Sequence, residues 1–405
     1  MAIQQAVNQL EQKKINSKGL LIIGIILIGA NLRAPLTSVG PLVTSIRDAL
    51  GISNALSGSL TTLPLLSFAL LSPFAPRMAR RFGMELTLFA SLILLTLGIV
   101  IRSIGGVPTL FIGTILIGLS IAIGNVLLPS LIKHNFARNI GLMTGIYAVS
   151  MNLCGAMASG ISIPIASLSG MGWVGALGCW GILSLITVFF WMPQIRRPIK
   201  RHKEGQNTQK HKSMNLWRSG LAWQITFFMG LQSFIFYTVI TWMPEILEQK
   251  GLNADEAGWM LSIMQLAVIP ITFIVPILAG RLQSQRILVI PPAVFLIVGI
   301  FGILYGSEQF IPVCMMLIGV GVGTVFSLSM MFFSLRTRST HEATELSGMA
   351  QSFGYLLAAV GPVLFGWMHD ITHSWTAPLF MLIVVSAIIF IVGLRAGKNE
   401  YVTAQ

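Results

Sequence analysis

Twelve apolar runs, each close to or above the length a bilayer demands, constrain this chain more than any motif it carries. Crossing a hydrocarbon core of roughly 30 Å takes about 20 helical residues at about 1.5 Å each. Such runs fall near 19–46, 54–76, 84–103, 109–132, 140–167 and 171–192, and again near 218–244, 254–279, 286–305, 309–335, 343–369 and 375–395. A water-facing fold is excluded by charge: Asp, Glu, Lys and Arg make up 10% of the chain, against roughly 25% in a soluble domain. The mean hydropathy of +0.81 agrees. The expectation is an all-α membrane protein with twelve transmembrane helices.

The net charge of +13 raises the question of nucleic acid. The basic residues fall in short clusters between apolar runs, with no stripe interleaved with aromatics. Membrane lipids and topology control account for them, and no nucleic-acid partner is expected. All but Arg33, Arg47, Arg102 and Lys250 of the 26 Lys and Arg residues lie in the tails or in connections on one side. Positive charge favours the cytoplasm, so both ends are expected there, in a cell membrane. Arg47, Arg102 and Lys250 then fall to outer connections. The divisions expected are a tail over 1–18, a six-helix bundle over 19–192, a basic linker over 193–217, a second six-helix bundle over 218–395 and a tail over 396–405. The first run has no small-residue cleavage site after it and reads as a retained helix.

The halves resemble one another at an offset of about 203. Pro41 pairs with Pro244, Pro73 with Pro276, Gly118 with Gly321 and Gly145 with Gly348. Six helices return the chain to its starting side, so the halves form a parallel repeat about an axis along the membrane normal.

Four stretches carry a resemblance: NLRAPLTSVGPL (31–42), TTLPLLSFALLSPFAPRMARRFGME (61–85), GNVLLPSLIK (124–133) and LSGMAQSFGYLLAAVGP (346–362). The sequence is similar to the major facilitator superfamily, and within it to the cyanate and nitroimidazole permeases. The resemblance implies two six-helix lobes that rock around a central cavity, lined by the first, fourth, seventh and tenth helices. It also makes Arg77, Arg80, Arg81 and Gly83, with Arg281 in the second half, candidates for a gating loop. Arg80 stands where the superfamily usually carries an Asp.

Arg33 is the most informative single residue. It lies fourteen residues after Gly19, roughly 21 Å along the helix, and a charge at such depth is costly enough that it normally faces a cavity or a partner. Asp48, Glu85, Glu245, Glu345 and Asp370 all fall at helix ends or loops, so no carboxylate shares its depth. An unpaired planar cation suits a carboxylate or another small planar anion from outside the chain. Binding to backbone carbonyls at a helix break near Pro35, or snorkelling outward, are the bland alternatives.

Thr37 lies one turn further on the same face, and Asn31 is nearby on another. Asn125, Gln351 and Tyr355 can contact ligand or serve as interhelical glue. Tyr147, Gln232, Tyr237 and Gln265 complete the candidate substrate contacts, with Trp242 beside them. Asn152 shares a stripe with Gly145, Ala148, Gly155 and Ser159 and reads as packing, as does the stripe Gly354, Ala358, Gly361.

The six histidines lie in loops or at helix ends, so an intramembrane proton relay has no obvious residues. The three cysteines sit in apolar runs, the methionines are scattered, and Gly319, Gly321 and Gly323 lack the strand a nucleotide site needs. No cofactor, metal or catalytic cluster is expected, and the chain is expected to act as a monomer. The expected function is alternating-access transport of a small solute, an anion bound by Arg33. The alternatives are efflux of a neutral aromatic compound such as a nitroimidazole and, from another class, a ligand-binding membrane sensor.

Overall fold

The computed structural model describes residues 19–402 apart from 53, 169, 171 and 196–215. Most of the expected basic linker and the whole N-terminal tail lie outside the described residues.

Among the described residues, twelve spans follow in order. They are α1 (Gly19–Leu42), α2 (Asn54–Leu71, continued after a bend by Ala75–Phe82), α3 (Met84–Arg102), α4 (Val107–Asn135), α5 (Ile140–Leu168) and α6 (Gly172–Ile195). After the linker come α7 (Gly220–Gln249), α8 (Ala254–Arg281), α9 (Arg286–Tyr305), α10 (Ile311–Leu335), α11 (Thr340–Thr372) and α12 (Thr376–Ala396). Eleven of them are single stretches long and apolar enough to span, and α2 qualifies as a bent pair turned by 55°. The bend falls at Ser72–Phe74, where Pro73 and Pro76 withhold backbone N–H groups. Gly83 then reverses the chain into α3 with φ of 87°, a conformation that glycine adopts without a Cβ penalty.

α1–α6 form one lobe and α7–α12 the other, and two seams join them: α5 against α8, and α2 against α11. Both seams are spaced by glycine. A Cβ on Gly145 would fall 2.9 Å from the Phe273 carbonyl oxygen, and one on Gly348 would fall 2.9 Å from that of Ser72. Gly145 and Gly348 are counterparts at the 203 offset, so each lobe offers its partner the same close approach.

The ends that carry Arg80, Lys133, Arg281 and Arg336 gather on one side, here called the basic face. The lobes are locked together there. Lys133 of α4 donates to the Ser334 carbonyl at 2.8 Å, to the Thr337 hydroxyl at 2.7 Å and to the Thr337 carbonyl. Ser334 lies in the last turn of α10 and Thr337 just past it, so the cation also meets the negative end of the helix dipole. Arg80 pairs with Glu345 of α11 and lies 3.4 Å from His341 Nε2. The position thus makes an inter-lobe contact with its charge opposite to the superfamily pattern. Both partners are substantially exposed, so the pair is worth at most about 1 kcal/mol. Arg77, Arg81 and Arg281 are exposed on the same face. Arg336 is buried, bonding the Ala396 and Gly397 carbonyls and Gln285; burial lowers its pKa to about 10.

Candidate functional site

The first span is not one helix. It runs regularly to Asn31, turns at Leu32–Arg33, resumes as Ala34–Thr37 and tightens to a 3₁₀ turn at Gly40–Leu42. Pro35 cannot donate to the carbonyl one turn back, so the ladder opens there. Val39 N then bonds Leu36 O at 3.4 Å, which leaves the Pro35 carbonyl to other donors.

The break packs on α5, and a glycine from each helix makes room. A Cβ on Gly29 of α1 would lie 2.7 Å from Ser150 Oγ, and one on Gly155 of α5 would lie 2.5 Å from Arg33 Cγ. Thr37 Oγ1 donates to the Gly155 carbonyl at 2.8 Å and to the Arg33 carbonyl at 3.2 Å. Arg33 is thereby laid along the wall of a cavity of about 650 Å³ between the lobes, within the range of small-molecule sites. Its guanidinium carbon stands 5.1 Å from the centre of the Phe236 ring on α7, a cation–π distance. Tyr237 is at hand on the same helix and lines the cavity beside it, and Tyr355 borders the recess below.

The cavity runs from Arg33 toward the far ends of α1, α2 and α7, past Pro41, Leu60 and Thr241. Toward the basic face it narrows into a recess of about 30 Å³, bordered by Asn125, Gln232, Phe326 and Tyr355, room for roughly a water or two. Below the recess the lobes close. Phe68 and Tyr355 meet at a tilt with ring centres 4.9 Å apart, Gln351 Nε2 donates to Asn125 O at 2.8 Å, and Ser352 Oγ donates to Ala69 O at 2.7 Å. The molecule is therefore open at its far face and sealed at its basic face.

The structure sorts the residues expected at the site. Arg33, Thr37, Tyr237 and Gln265 line the cavity, and Asn125, Gln232 and Tyr355 line the recess beneath it. Gln351 is buried in the seal and Tyr147 is buried behind the wall. Asn31 points elsewhere: Nδ2 donates to Thr187 Oγ1 of α6 at 2.7 Å, so its face is spent on helix packing.

Three positions gain a place that sequence reading did not give them. Asn152, read as packing, lines the cavity while Nδ2 caps the Ala148 carbonyl. Phe236 faces Arg33; it is the residue 203 positions on, so the repeat offset already pointed to it. Arg102, assigned to an outer connection, is fully buried at the end of α3 and borders the cavity. A lone arginine on the side poor in positive charge was the signal available for it. Among the described residues that line the cavity, Arg33 and Arg102 are the charged ones, and no carboxylate stands with them.

The family model described as Major Facilitator Superfamily matches residues 21–362. This chain belongs to that superfamily. The facilitator is 41% identical over 381 residues to the 2-nitroimidazole transporter of Escherichia coli (strain K12), covering 94% of this chain and 96% of the relative. It is 24% identical to the cyanate transport protein CynX of the same organism, over 88% of this chain and 91% of that one. The fold of this facilitator also matches the proton:xylose symporter XylE with a TM-score of 0.78 at 14% identity, covering 96% and 98% of the two chains. The chain is thus a multi-pass membrane transporter of small solutes, and the branch expected from the motifs is the one its relatives occupy.

Proposed function

We propose that this facilitator carries a small planar anion, a carboxylate or a heteroaromatic anion, with Arg33 as its counter-charge. The observation that carries the reading is Arg33 itself, a guanidinium set where the cavity meets its recess, backed by Phe236 and with no carboxylate on the lining. A half-buried cation with no carboxylate beside it is completed by an anion that it can grip by two parallel N–H groups. The aromatic side chains around it, Phe68, Phe236 and Tyr237, supply flat faces for a ring.

The second reading, a neutral heteroaromatic solute, is favoured by those same rings and by the 2-nitroimidazole relative. The two readings meet in one chemistry, because a nitro group acidifies the imidazole N–H and makes a planar anion accessible. With the basic face in the cytoplasm, as the distribution of Lys and Arg supports, the structure is the outward-open state.

The test is counterflow in proteoliposomes, with labelled cyanate, benzoate and 2-nitroimidazole, for wild type and for Arg33→Ala, Arg33→Lys and Arg33→Gln. Substrate-induced thermal stabilisation is read alongside. For an anion, the Ala and Gln variants lose uptake while inserting normally. The Lys variant keeps a fraction, having the charge without the fork. Uptake of 2-nitroimidazole should rise with pH as the ring N–H ionises. Normal transport by Arg33→Ala would sink the anion reading, and full activity in Arg33→Gln alone would favour the neutral solute.

A further inference from the structure

Arg102 is not needed where a surface arginine would be, and it is not exposed where one would sit. It ends α3 with no accessible surface, although its repeat counterpart at the 203 offset, Tyr305, ends α9 with 62% of its surface exposed. The inward seat is built by α4: a Cβ on Gly113 would fall 2.6 Å from Arg102 Cβ. One nitrogen is committed, Nη1 donating at 2.7 Å to the Pro35 carbonyl that the α1 break leaves over. Nε and Nη2 are buried and have no hydrogen-bond partner. Those two nitrogens form one edge of the guanidinium, with parallel N–H bonds spaced for the two oxygens of a carboxylate. A buried charged donor left unmet is costly, and this one borders the cavity.

We propose that Arg102 forms a second anion subsite, nearer the far mouth than Arg33, where a carboxylate or similar planar oxyanion is held across the Nε and Nη2 edge once a small shift of the α1 break uncovers it. Arg33 and Arg102 then act in series, the first cation met from the far face passing an anion inward to the second. The inference rests on the anion reading of the cavity, and its test is arranged so that the two fail separately.

Full-length protein in lipid nanodiscs is titrated with benzoate at constant ionic strength, and with benzamide as the neutral isostere, for wild type, Arg102→Gln, Arg102→Lys, Arg33→Gln and the double Gln variant. Arg102→Gln should weaken benzoate by roughly tenfold or more, the size of a charge-assisted hydrogen-bonded pair, and leave benzamide unchanged. Its side chain is shorter than arginine and gives up the bond to the Pro35 carbonyl, so a small fall in the ligand-free melting temperature is expected and the reading rests on benzoate against benzamide affinity. Arg102→Lys should fall between, and it carries the test if the Gln variant inserts poorly. Residual benzoate binding in Arg33→Gln should vanish in the double variant. A melting temperature that drops in Arg102→Gln with wild-type benzoate affinity would overturn the subsite and leave Arg102 a strut for the α1 break. So would a double variant that binds like Arg33→Gln. Wild-type binding by Arg33→Gln beside loss in Arg102→Gln would instead remove the Arg33 reading and keep the subsite.

Discussion

α1 and α7 occupy equivalent places in the two halves, yet they are built differently. α7 is one helix of 30 residues with Phe236 at its middle. α1 is interrupted at Leu32–Arg33, puts a cation at the equivalent position and lays it against that same Phe236. Their neighbours diverge in step. α5 offers Gly155 beneath Arg33, while the counterpart at the same offset on α11 is Ala358, which already carries a Cβ. A repeat keeps its seams alike, as Gly145 and Gly348 show, and diverges where the solute must be told from water and from other solutes. One lobe supplies charge and the other supplies the ring that backs it.

The division of labour can be broken at Gly155. Gly155→Ala gives α5 the residue that α11 has and drives a methyl into Arg33 Cγ. Since overpacking costs about 1–3 kcal/mol, substrate affinity should fall by roughly five- to hundredfold, measured by counterflow half-saturation. An unchanged value would mean that Arg33 is free to move and is not seated by α5. A smaller effect is expected from the other lobe. Phe236→Leu keeps the volume and removes the ring, costing about 0.5–2 kcal/mol of cation–π stabilisation; isothermal titration should show a few-fold to roughly thirtyfold weaker anion binding. No loss would say that α7 is merely a wall. The smallest change is Thr37→Val, which removes the bond to the Gly155 carbonyl. About 1 kcal/mol of stability should go, visible as a lower melting temperature, with little change in selectivity between benzoate and benzamide.

Depth along the membrane was legible in the sequence, and direction around each helix was not. Hydropathy and length place Arg33 beyond mid-span without any structure, because the bilayer sets one coordinate for every residue. Which way a side chain points depends on the neighbours a helix acquires on packing. That is why Asn31, two residues from Arg33, turns to Thr187 of α6, and why Asn152 turns from an apparent packing stripe into the cavity. The bend that splits α2 and the break in α1 were both signalled by prolines, but Pro64, Pro129 and Pro244 lie inside unbroken helices, so proline alone does not say where a span parts. Arg102 defeats the reading of depth as well. A residue at a helix end counts as a loop charge until its neighbours are seen to seat it, here Gly113 of α4 and the Pro35 carbonyl of α1.

A wall charge with no acid beside it also makes the carrier answer to voltage. When one mouth is sealed, most of the membrane potential drops across the seal, so a charge in the cavity sits at the potential of whichever side is open. Moving one elementary charge through that drop is worth about 2.3 kcal/mol per 100 mV. On the anion reading, a monovalent anion on Arg33 cancels one of the two cavity charges and leaves that of Arg102, so the loaded carrier feels the field less than the empty one. Empty, Arg33 is bare, and an interior-negative membrane draws the cavity to face the cytoplasm. With the proposed substrate and orientation, the far-open form is then the one that a polarised membrane depletes when no anion is bound, and an anion arriving from outside relieves part of that bias by cancelling one of the two charges that cause it.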